Sequence, residues 1–80
     1  MGSKAILKNR THNLELMITE KRSVKDILTY ANFIRKKLIE NQIFDTESID
    51  KVISEVLSDN CNMKKIGVAL DELDKLIETT

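Results

Sequence analysis

Apolar residues recur with helical spacing along most of this chain. Ile49, Val52, Ile53, Val56 and Leu57 fall at i, i+3, i+4, i+7 and i+8, one stripe along a helix. Asp45 or Thr46 suits its N-cap, and Glu47 and Asp50 suit the positive end of its dipole. The pattern breaks over Ser58-Asp59-Asn60-Cys61-Asn62, where turn-forming residues cluster. With Asn62 as the next N-cap, Met63, Ile66, Leu70, Leu73 and Ile77 resume the period, with Ala69 and Leu76 beside them. So short a connection makes the two helices antiparallel neighbours, an αα-hairpin.

Upstream, Val24, Ile27, Leu28, Ala31, Ile34 and Leu38 stripe a helix from about Ser23 to Asn41. Ser23 followed by Asp26 resembles a capping box, and Arg35, Lys36 and Lys37 lie in the last turns, where cations complement the dipole. Ile43 and Phe44 are then expected to tuck into the core. Leu14, Met17 and Ile18 also sit at helical spacing. They form either a short separate helix or an upstream extension of the middle one, and Lys21 at the seam speaks against the extension. Residues 1–12 show no stable period and read as a loosely ordered tail. Residues 13–80 read as a single helical domain. The predicted fold is an all-α bundle of three helices or four.

Eighty residues support one domain with a marginal core. Small domains of this size gain stability from disulfides, metal or oligomerisation. Cys61 is the only cysteine and His12 the only histidine, which leaves no intrachain disulfide and no basis for a zinc site. Dimerisation remains, so the bundle is expected to be completed by a second copy. Proline is absent and the only glycines are Gly2 and Gly67, which favours helices over sheets. Gly67 inside a helix costs about 1 kcal/mol relative to Ala. Such a glycine marks a place where a neighbouring helix, of this or another subunit, crosses closely. No apolar run is long enough for a bilayer, and the start lacks the hydrophobic region of a signal peptide. The expected setting is the cytoplasm, with a reduced thiol and no membrane partner.

Charge is segregated. Residues 1–40 hold nine Lys/Arg against four acids, and residues 41–80 hold four Lys against nine acids. The halves are therefore +5 and −5, and the zero net charge conceals a dipole. A basic half attracts nucleic acid or an acidic partner, and it also complements the acidic half of a second copy.

The basic residues Lys21, Arg22, Lys25, Arg35, Lys36 and Lys37 are the main candidate interaction patch. Arg35, Lys36 and Lys37 are consecutive, so they fan around the helix, and no Asn or Gln accompanies them at recognition-helix spacing. Phosphate attraction is therefore better supported than base readout. Asp71, Asp74 and Glu78 share one face outside the apolar stripe and read as an acidic strip for a basic surface. Tyr30 and Phe33 widen the stripe of the middle helix and, with Gly67, are candidate dimer contacts. Cys61 reads as an exposed, inert thiol. No nucleophile–base pair, phosphate-binding glycine loop or metal-ligand set is present, which argues against an enzyme and against a cofactor.

The stretch ESIDKVISEVLSDNCNMKKIGVALDELDKL, Glu47 to Leu76, resembles the AriR/YmgB family of small biofilm and acid-stress regulators. The similarity lies in a Glu-led helix start, the string Val52-Ile53-Ser54-Glu55-Val56-Leu57, and a short polar turn ending in Asn62-Met63 with Lys65 nearby. The chain departs from the family at both ends, and its N-terminal helix is longer and more basic. The resemblance implies an all-α homodimer without enzymatic activity that serves bacterial regulation. No family site residue transfers.

Three functions follow as expectations. The first is a non-enzymatic regulatory adaptor that binds a protein such as a response regulator or transcription factor. The second is a DNA-binding modulator that uses the basic N-terminal half. The third is a phage- or plasmid-encoded inhibitor or antitoxin of the same build.

Overall fold

The computed structural model describes residues 2–58 and 61–79. Among these residues four helices follow one another: α1 (Gly2–Thr19), α2 (Val24–Glu40), α3 (Glu47–Leu57) and α4 (Met63–Thr79). The fold is all-α, and the C-terminal αα-hairpin is present as α3–α4. Asp59 and Asn60 of the expected polar turn lie outside the described residues.

The helices form a ring. α1 packs against α2 and α4, and α3 packs against α2 and α4. Neighbours run antiparallel, as the cross-helix pairs show: Lys8 of α1 meets Glu78 of α4, Arg35 of α2 meets Asp50 of α3, and Lys51 of α3 meets Glu72 of α4. The basic hairpin α1–α2 therefore lies along one side of the bundle and the acidic hairpin α3–α4 along the other.

One spacing builds the core. α1 buries Leu7, Thr11, Leu14 and Ile18, α2 buries Ile27, Ala31, Ile34 and Leu38, and α4 buries Ile66, Leu70, Leu73 and Ile77, with Ala69 buried beside this last set. Each set follows i, i+4, i+7, i+11, the seam that nearly parallel helices interdigitate along. The shorter α3 contributes Ile49 and Val52.

The expected loose tail over residues 1–12 is instead the first half of α1. Thr11 occupies a core position, which broke the apolar period. Its hydroxyl donates to the carbonyl of Leu7 at 2.9 Å, so a buried polar group is satisfied within the helix. α1 and α2 are separate. Arg22 N donates to Met17 O (3.0 Å) and Lys21 N to Ile18 O (3.1 Å), with Lys21 left-handed at φ 58°. That is a Schellman stop, in which one left-handed residue caps the last carbonyls. α2 ends the same way: Ile43 N donates to Leu38 O and Gln42 N to Ile39 O, with Gln42 at φ 65°.

The caps follow the sequence in part. Ser23 Oγ accepts from Asp26 N, and Asn62 Oδ1 accepts from Lys64 N and Lys65 N. α3 differs. Thr46 stands at the N-cap but makes no side-chain cap bond, and its hydroxyl donates to Asp50 Oδ2 instead. Asp45 Oδ1 accepts from Glu47 N at 3.1 Å.

Four apolar residues assigned to stripes or core lie outside it. Val24 is exposed in the first turn of α2, and Leu57 and Met63 are exposed where the α3–α4 turn begins and ends. Ile43 is buried as expected, whereas Phe44 is 73% exposed. The Schellman geometry turns only its residue after the left-handed position, Ile43, onto the helix end. Among the described residues no other helix approaches Gly67: a Cβ placed there meets nothing within 4 Å.

Candidate functional site

The six basic residues expected to form one patch do not share a surface. Lys21 and Arg22 belong to the α1–α2 turn, and Arg22 Nε lies 3.4 Å from Glu20. Lys25 is exposed in the first turn of α2. The other three sit at the far end of α2 and point three ways. Arg35 reaches α3 and donates to Asp50 at 3.1 Å. Lys36 faces solvent. Lys37 turns toward α1, with its ammonium 5.4 Å from the centre of the Phe33 ring and 3.3 Å from Glu40. The fan of three consecutive residues around a helix forces this divergence.

The acidic strip is also divided. Glu78 accepts a hydrogen bond from Lys8 of α1, and Lys4 Nζ donates to the Glu78 carbonyl at 3.4 Å. The Lys8 bond holds the Glu78 carboxyl below its ordinary range and lifts the Lys8 ammonium above its own. Asp74 adds to the field that raises Lys8. Asp71 remains exposed, with no ion pair among the described residues. Part of the opposite-charge pairing expected between two copies is thus made within one chain, at the α1·α4 seam.

Tyr30 and Phe33 are half-buried, and their rings lie 6.3 Å apart. Tyr30 packs against the core, and its hydroxyl accepts from Asn13 of α1 at 3.4 Å. α1 covers much of the aromatic face that the sequence left free for a dimer contact.

A cleft of about 340 Å³ opens beside Phe33, between α1 and α2. Ile6, Leu7, Arg10, Phe33, Lys37, Glu40 and Asn41 line it. The Arg10 guanidinium carbon lies 5.2 Å from the Phe33 centroid, so two cations attend one ring. Lys37 has Glu40 as counter-charge, whereas Arg10 has no carboxylate partner among the described residues. The cleft therefore combines an apolar floor from Ile6, Leu7 and Phe33 with an excess of positive charge. Arg10 was hidden by the reading of residues 1–12 as a tail. Its signal in the sequence is the position of Leu7, seven residues before Leu14 on the same stripe.

Among the described residues, no three or more His, Cys, Asp or Glu side chains gather where they can hold a metal ion. Cys61 is an exposed free thiol. No helix of the described residues is long and apolar enough to cross a membrane.

The fold and cleft define a small antiparallel four-helix bundle with a basic, partly apolar face. No family model matches the chain, and comparison with curated proteins and with solved structures gives no match either. The likeness of residues 47–76 to the AriR/YmgB family rests on those residues alone.

Proposed function

We propose that this protein is a non-enzymatic interaction module that receives an acidic segment of a protein partner on its α1–α2 face. The observation that carries this reading is the pair of cations on Phe33. Arg10 and Lys37 converge on one ring with a single carboxylate between them. A carboxylate flanked by an apolar residue would neutralise the surplus charge and cover Ile6 and Phe33 together. Such mixed recognition suits a regulatory partner, and the narrower choice of a response regulator or transcription factor rests on the family resemblance alone. The dispersal of Lys21, Arg22, Lys25, Arg35, Lys36 and Lys37 gives phosphates no continuous track, which favours protein over DNA.

The test is fluorescence anisotropy with two labelled probes, an alternating Glu-Leu peptide and duplex DNA, at low and physiological salt. The expected result is peptide binding at physiological salt that Arg10→Glu with Lys37→Glu abolishes. DNA binding that survives physiological salt, with no peptide binding, would replace this reading with the nucleic-acid one.

A further inference from the structure

We infer that the outer face of α4 is a self-association surface, on which a second copy of this chain packs its own α4 antiparallel. α4 carries the segment Lys64-Lys65-Ile66-Gly67-Val68-Ala69-Leu70-Asp71-Glu72. It is antisymmetric about Val68. Two lysines precede the centre and two acids follow it at matching distances, with a small residue on each side of Val68. Reversing the direction of such a helix places its acids where its lysines stood. A two-fold axis beside Val68 thus sets Lys64 and Lys65 of each copy opposite Asp71 and Glu72 of the other. An isologous contact requires this self-complementarity.

The structure presents these residues outward. Val68 is 55% exposed and Lys64, Lys65, Gly67, Asp71 and Glu72 are exposed with it, whereas Ile66, Ala69 and Leu70 are turned into the core. Lys64, Lys65 and Asp71 have no ion pair among the described residues, and Glu72 has only Lys51, at 3.6 Å. A groove of about 570 Å³ runs between α3 and α4 on this face, lined from α4 by Lys64, Lys65, Val68, Ala69 and Glu72 and from α3 by Lys51 among others. Gly67 supplies an independent observation. It costs helix stability, and among the described residues no other part of the chain comes within 4 Å of where its Cβ would stand. A helix from another copy can approach there more closely than any side chain would permit. The face lies opposite the α1–α2 cleft, so dimer and acidic segment do not compete.

Sedimentation equilibrium over a concentration range extending to millimolar tests the proposal. The wild-type chain should show a monomer–dimer equilibrium that salt weakens. Lys64→Glu with Lys65→Glu places acids against acids, and Asp71→Lys with Glu72→Lys places lysines against lysines. Each double variant alone should be monomeric, and their equimolar mixture should recover the dimer, because the two faces are again complementary. Circular dichroism should show both variants folded, since all four side chains are exposed. Gly67→Leu should also abolish the dimer while leaving the monomer at least as stable to heat. A wild-type chain that stays monomeric throughout the range overturns the inference, as does a dimer indifferent to both charge reversals.

Discussion

At the scale of single residues, backbone conformation decides more than side-chain type. Lys21 and Gln42 stop their helices in the left-handed region, which strains a residue with a Cβ. Lys21→Gly and Gln42→Gly should each raise stability by up to about 1 kcal/mol. Gly67 is the converse, a helical glycine with open space around it, and Gly67→Ala should raise monomer stability by about 1 kcal/mol. Urea denaturation checks all three: the midpoint should rise at unchanged slope. A fall in midpoint for Gln42→Gly would mean that its side chain, not its φ, holds the α2 stop. The same feature explains why Phe44 was misread. Composition makes Ile43 and Phe44 equally suited to the core, and only the left-handed turn at Gln42 separates them.

At the scale of elements, the helices with a clean stripe were legible, and the one with a polar break was legible only past that break. α2, α3 and α4 carry their period in Ile, Leu, Val and Ala, and Ser23 and Asn62 announce two starts with side chains that accept orphan backbone N–H groups. Replacing Ser23 or Asn62 by Ala should cost about 1 kcal/mol each. Thr46→Ala should cost less, because Thr46 makes no cap bond and its loss leaves the Asp45 contact to Glu47 N in place. Thermal melts of the three variants check the order, and Thr46→Ala ranking as the most damaging would contradict it. The first half of α1 stayed hidden because Thr11 interrupts the stripe and because Asn9, Arg10, His12 and Asn13 surround it with polarity. Helix–helix packing supplies the missing signal, since Leu7 and Thr11 become core residues only against their neighbours. The candidate cleft was lost with α1: Phe33 and Lys37 were visible on α2, whereas Arg10 joins them only through tertiary structure.

At the scale of the whole molecule, the segregation of charge along the sequence becomes a segregation across the bundle, and the two hairpins are tied where the sides meet. Lys8–Glu78 joins α1 to α4, and Arg35–Asp50 joins α2 to α3. Both pairs are exposed, so salt should weaken them and lower the melting temperature modestly. The first pair also predicts a pH dependence. Glu78 is held below its ordinary value near 4.5, so the unfolded chain binds its proton more readily. Its contribution is complete above that ordinary value and is lost as pH falls through the depressed one. Lys8 is raised above 10.5, so its contribution is complete below that value and disappears as pH rises through the raised one. Together they support a plateau between the two limits. Glu78→Gln removes both effects, because it takes the proton acceptor from the acid limb and the counter-charge from the alkaline limb. The difference in melting temperature between wild type and Glu78→Gln should therefore be largest at neutral pH and low salt, and should shrink toward both extremes. A difference independent of pH would assign the seam to apolar packing of α1 on α4, with the charged pair riding on a contact that Leu7, Leu73 and Ile77 already hold.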